Sequence, residues 1–69
     1  MLLNWEENFC IRTRAENGVI TVSANRNGLL SLANLCRDLA GEAPGAHLHL
    51  DEFNSLEEGS VELILERTD

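Results

Sequence analysis

Three side chains in the run AHLHLD (residues 46–51) could do chemistry together: His47, His49 and Asp51. Spaced by two, they project from one side of a β-strand, while Leu48 and Leu50 project from the other. Two imidazoles and a carboxylate can hold zinc or another divalent ion, with Glu62 or Glu66 available as a fourth ligand. Either histidine could also act as a general acid or base. The same pattern describes a solvated sheet face whose histidines bond cross-strand carboxylates. No serine or cysteine is placed to serve as a nucleophile, and 69 residues leave little room for a pocket of the usual size. The solvated face is the better reading, and neither metal nor cofactor is assigned.

The second feature with chemical consequences is charge. Residues 1–37 hold Glu6, Glu7 and Glu16 against Arg12, Arg14, Arg26 and Arg37, a net +1; residues 38–69 hold nine acids against Arg67 alone, a net −8. Asp51, Glu52, Glu57, Glu58, Glu62 and Glu66 make the densest acidic run. Such a field repels nucleic acid phosphates and attracts basic partners, the active site of a nuclease among them. An acidic surface also serves a small protein simply by keeping it soluble.

These groups need elements to position them. Residues 25–41, NRNGLLSLANLCRDLAG, read as one helix. Leu29, Leu32, Ala33, Cys36, Leu39 and Ala40 recur at helical spacing, with Ser31, Asn34 and Asp38 opposite. Asn25 is an N-cap, Gly41 offers a left-handed C-terminal stop, and Pro44 forbids a restart. Gly28 in the first turn could help bind an anion at the helix N-terminus, though an ordinary cap accounts for it. Residues 9–14 and 19–24 alternate as strands around Asn17-Gly18, a hairpin turn signal. Residues 46–51 and 60–67 read as two more strands.

The order is ββαββ. The expected fold class is α+β, a four-stranded sheet with one helix packed on one face and the other face open. Ile11, Ile20, Val22, Leu48, Leu50, Val61, Leu63 and Leu65 form the inward set. Arg12, Arg14, Val19, Thr21, Ser23, His47, His49, Glu62, Ile64 and Glu66 form the outward set, since a one-residue slip would bury charges. A right-handed crossover through the helix is expected, with the strand order left open. Phe53 and Leu56, in the connection at residues 52–59, are expected to fold back onto the core. Leu2, Leu3 and Trp5 extend the first strand or tuck against the helix end. Cys10 and Cys36 read as free thiols, the latter on the apolar stripe.

One domain, residues 1–69, is expected, near the lower size limit for a chain held by its own core. No apolar run is long enough to span a membrane, and Met1-Leu2-Leu3 runs into Asn4-Trp5-Glu6-Glu7 with no signal-peptide pattern, so the cytoplasm is the expected compartment.

Three pieces of the chain carry a resemblance. They are ITVSAN leading into Gly28-Leu29 and Leu32-Ala33, the segment His47-Leu48-His49-Leu50-Asp51, and Leu56-Glu57-Glu58-Gly59-Ser60 followed by VELIL. Together they resemble the Imm32 family of bacterial immunity proteins over about two-thirds of the chain. The resemblance implies a non-enzymatic cytoplasmic protein that binds and blocks a toxin encoded beside it. It carries over His49 and Asp51, with Gly59 and Ser60 at the start of the last strand. The expected partner surface is the open sheet face with the acidic connection: His47, His49, Asp51, Glu57, Glu58, Glu62 and Glu66, with Arg12 and Arg14 pairing to Glu62 or Glu66 or free for the partner. The alternatives are a structural or regulatory homodimer pairing through the open face at Val19 and Ile64, and a metal-binding protein using His47, His49 and Asp51.

Overall fold

The computed structural model describes residues 4–69. Leu2 and Leu3 lie outside the described residues. The elements run β1 (Ile11–Glu16), β2 (Val19–Ala24), α1 (Arg26–Ala40), β3 (His47–Leu50) and β4 (Leu63–Glu66), the expected ββαββ order of an α+β chain. Asn17 and Gly18 both take positive φ, 51° and 77°. That is the turn whose twist matches a two-residue hairpin, and it fixes the β1–β2 register from Glu16↔Val19 to Ile11↔Ala24.

The single four-stranded sheet is replaced by two antiparallel ladders, β1–β2 and β3–β4. The break lies just before β4. Ser60 N–H donates to the Glu57 carbonyl at 3.1 Å, and Gly59 sits between them at φ +87°, so the connection ends in a turn over residues 57–60 and the strand expected from residue 60 begins only at Leu63. This stretch still runs beside β1. Glu57 N–H donates to the Ile11 carbonyl at 2.8 Å, and Val61 N–H donates to the Thr13 carbonyl at 3.3 Å. Two isolated backbone bonds thus join the hairpins where a ladder would have had more.

Within each hairpin the expected faces hold. Leu48 pairs with Leu65 and Leu50 with Leu63, while His47 pairs with Glu66 and His49 with Ile64 on the opposite side. In the first hairpin, Ile11 and Thr13 are buried, yet the same face of β2 grows more exposed toward the tip, from Ala24 opposite Ile11, through Val22 opposite Thr13, to Ile20 at 70 % opposite Ala15. The face is right, but the helix covers only its base, so Ile20 and Val22 are corrected from core to exposed positions. Val61 is exposed as well, because it belongs to the interrupted stretch.

The helix is rolled from the expected orientation. Its buried residues are Gly28, Ser31, Leu35 and Leu39, whereas Leu29 is 55 % exposed and Ala33, Cys36 and Ala40 face solvent. The reason is the N-terminal segment. Ser31 Oγ accepts from Glu6 N–H at 2.8 Å, Asn34 Nδ2 donates to the Asn4 carbonyl and to Glu6 Oε2, and Asn27 Nδ2 donates to the Glu7 carbonyl. The polar side of the helix is therefore covered by chain, with its hydrogen bonds satisfied. Trp5 stacks on Phe9 with centroids 4.6 Å apart, and both pack against the core of Ile11, Leu35, Leu50 and Leu56.

Asn25 caps α1 as expected, accepting from Gly28 N–H at 2.7 Å. Gly41 does not take the left-handed conformation: its φ is −89° and its N–H donates to Asp38 O at 3.0 Å, a tightened last turn. The remaining carbonyls are met by Arg67, whose Nη1 donates to the Ala40 carbonyl at 2.9 Å and to the Glu42 carbonyl. A guanidinium at a helix C-terminus satisfies both the orphan acceptors and the dipole.

Candidate functional site

β3 and β4 present the outward face. Alternation places His47 and His49 on it, with ring centroids 5.1 Å apart. His49 Nδ1 lies 3.2 Å from Oε2 of Glu62, which immediately precedes β4 and is diagonal to His49, and both side chains are half exposed. Among the described residues it is the one contact between a basic side chain and a carboxylate within 4.0 Å. His47 turns away from this pair and bonds the Gly45 carbonyl at 3.1 Å. Asp51 leaves the histidines altogether: its Oδ1 accepts from Phe53 N–H at 2.9 Å, closing the turn that follows β3. Among the described residues no three His, Cys, Asp or Glu side chains are grouped to hold a metal ion. The His-x-His-x-Asp pattern is a strand alternation whose third member serves the loop.

That loop, residues 51–59, is held at many points. The Asp51 carbonyl accepts from the N–H groups of Asn54, Ser55 and Leu56. Asn54 Oδ1 accepts from Asp51 N–H at 3.1 Å, and Asn54 Nδ2 donates to the His49 carbonyl at 2.9 Å. Glu52 Oε2 accepts from Gly59 N–H at 2.8 Å. Leu56 pins the middle into the core at 4 % exposure, as expected, whereas Phe53 does not fold back and stands 90 % exposed. A shallow hollow of about 290 Å³ is bounded by Glu52, Phe53 and Glu58.

The acidic residues surround this loop and continue onto β4. Glu57, Glu58, Glu62 and Glu66 are all exposed. Arg12 and Arg14 do not pair with Glu62 or Glu66; Arg12 Nη1 instead reaches the Glu58 carbonyl at 3.2 Å, and Arg14 is exposed on β1 across from Thr21. Glu57 accepts a hydrogen bond from Cys10 Sγ at 3.3 Å. That bond, followed by desolvation and the negative charge of Glu57, raises the thiol's pKa; nearby Arg12 opposes the rise. Arg67, the only lysine or arginine in residues 38–69, is turned onto the end of α1, so Arg12 is the arginine that reaches this surface.

A second hollow, about 260 Å³, lies between the end of α1 and β4, lined by Cys36, Leu39, Ala40 and Leu65 with Glu66 and Arg67 at its edge. Its lining brings together no paired acid and base beside a nucleophile. Among the described residues no helix is long and apolar enough to cross a membrane.

Sequence reasoning left Leu35 and Thr13 out of the core and put Phe53 into it. Leu35 and Thr13 build the frame, and only Phe53 belongs to the exposed surface. Its signal was a large aromatic flanked by Glu52 and Asn54 in a run with no apolar periodicity.

Fold and surface together define a small α+β chain on which Glu57, Glu58, Glu62 and Glu66 are exposed. Residues 19–68 match the family model of Imm32, immunity protein 32, and the chain belongs to that family. The match begins at β2, so β1 with its buried Ile11 and Thr13 lies outside it. No curated protein and no solved structure matches the chain.

Proposed function

We propose that this protein is a non-catalytic binding module that neutralises a cognate protein toxin in the cytoplasm, acting as one domain over residues 1–69. The acidic surface covers the toxin's active site and excludes its substrate by bulk and by charge. A basic nuclease is the toxin class that fits, because carboxylates spaced along β4 and the preceding loop compete for the groups that bind a phosphate backbone. The contact set is His47, His49, Asp51, Glu57, Glu58, Glu62 and Glu66, with Arg12 and Arg14 at its border. His49 is held by Glu62, and Asp51 shapes the loop more than it meets the partner.

The observation that carries the reading is exposed negative charge: Glu57, Glu58, Glu62 and Glu66 are all exposed around the loop and β4, and among the described residues no arginine pairs with their carboxylates, Arg12 reaching the Glu58 carbonyl and Arg67 capping a helix. The family membership supplies the toxin as partner. The test is inhibition of the toxin domain encoded beside this protein, titrated with wild type and with the double reversal Glu62→Arg, Glu66→Arg. Stoichiometric inhibition that the reversal abolishes supports the acidic face. Inhibition that survives the reversal moves the contact off β4, and no inhibition by wild type removes the toxin reading.

A second reading, self-association through an open sheet surface, is favoured by the exposure of Val19 and Ile64 at 61 % and 51 %. A dimer in sedimentation velocity at micromolar concentration supports it, and a monomer at all concentrations rules it out.

A further inference from the structure

We infer that Phe53 is the apolar anchor of the binding loop, and that it seats in a hydrophobic hole on the partner rimmed by lysine or arginine side chains. The inference rests on the toxin-binding reading and names the part of that surface which fixes the complex in place.

Phe53 is the most exposed large apolar side chain among the described residues. Its exposure does not come from a loose loop. The backbone on either side is tied through Asp51, Glu52 and Asn54, and Leu56, three residues on, is buried. The Asp51 bond to Phe53 N–H fixes the backbone from which this ring projects. On a backbone already fixed, an aromatic has only its two side-chain torsions to order on binding, which keeps the entropy cost of such an anchor low.

Charge selects the occupant. Glu52 and Glu58 border the same hollow as the ring, and residues 38–66 contain no lysine or arginine. A two-fold dimer through this loop would set those carboxylates against their own images. An anionic lipid surface would repel them as well. A protein surface with an apolar hole inside a basic rim satisfies both the ring and its acidic surround, with the apolar centre and charged margin that interfaces share.

The test measures binding kinetics of the purified, catalytically inactivated toxin domain encoded beside this protein. Phe53→Ala is expected to raise Kd by about 30-fold or more, with the loss in the dissociation rate and insensitive to salt. Phe53→Leu is expected to recover most of the affinity, and the melting temperature of both variants should match wild type because the ring touches no core residue. A loss smaller than 30-fold in Phe53→Ala, alongside failure of binding in Glu57→Arg, Glu58→Arg, overturns the anchor and leaves the acidic reading standing. A loss confined to a salt-dependent association rate also overturns it. Absence of binding by wild type overturns both.

Discussion

Thr13 and Val61 hold each other in both directions: the Thr13 hydroxyl donates to the Val61 carbonyl, and the Val61 N–H donates to the Thr13 carbonyl at 3.3 Å. Ser60 Oγ adds a third tie by accepting from Thr13 N–H at 3.1 Å. These bonds join the first hairpin to the stretch that carries Glu57 and Glu58. Thr13 is 1 % exposed, so replacing its hydroxyl by a methyl keeps the packing and removes the bond. Thr13→Val should cost about 1–2 kcal/mol in urea unfolding. Stability equal to wild type would mean that the hairpins are held by packing alone.

Asn25 does more than cap α1. Its Oδ1 accepts from Gly28 N–H and from Cys10 N–H, and its Nδ2 donates to the Asn8 carbonyl. Gly28 must stay small beside it, since a Cβ there would come within 2.3 Å of the Cys10 carbonyl oxygen and 2.9 Å of the Ala24 Cβ. Alanine gains about 1 kcal/mol of helix propensity over glycine, but a backbone oxygen at that distance cannot move aside cheaply. Gly28→Ala is expected to destabilise by about 2 kcal/mol net, an overpacking cost outweighing propensity. Asn25→Ala should cost about 2 kcal/mol, the upper end for a cap. Thermal unfolding of the two variants reads both; a rise in melting temperature for Gly28→Ala would contradict the close approach.

The roll of α1 makes a sharp contrast between two leucines six residues apart. Leu35 is fully buried in the core, whereas Leu29 is more than half exposed. Leu35→Ala should cost about 2–5 kcal/mol as a cavity, and Leu29→Ala less than about 1 kcal/mol. Chemical denaturation of both variants checks the orientation, and a larger cost at Leu29 than at Leu35 would place the helix as its apolar stripe alone suggests.

Cys10 should react slowly despite being only half buried. The Glu57 carboxylate stabilises its protonated form, and only the thiolate is nucleophilic. Because the folded chain keeps this proton to higher pH than the unfolded chain does, the interaction's contribution is complete below the unfolded thiol's pKa and is lost as pH rises through the raised value. In alkylation at mildly alkaline pH, exposed Cys36 is expected to label before Cys10, and Glu57→Ala should speed Cys10 without changing Cys36. If Cys10 labels first in wild type, its bond to Glu57 does not govern its reactivity.

Local signals in the sequence were enough for the element order, for the first hairpin and for the two faces of β3. Asn17-Gly18 specifies its turn through backbone angles that few other pairs adopt, and alternation alone sets Leu48 and Leu50 apart from His47 and His49. What needed the structure were the polar satisfactions made at long range. Ser31 looks like a solvent position until Glu6 N–H arrives, and that bond turns Leu35 inward and Leu29 outward. Likewise VELIL reads as one strand, but the Gly59 turn and the Thr13–Val61 bonds take its first residues into the join with β1. The candidate surface was legible through its charges. The direction of Phe53 was not, because it is set by which carboxylate and amide caught the loop backbone.

The association rate of this protein with its neighbouring toxin domain, measured across salt concentration, tests the central claim most directly. If the acidic surface meets a basic site, the rate should fall steeply with ionic strength, and Glu57→Arg, Glu58→Arg, Glu62→Arg should slow it by at least tenfold at low salt and flatten that dependence. Tight binding with a salt-independent rate that the triple reversal leaves unchanged would contradict the account and place the toxin contact on another face.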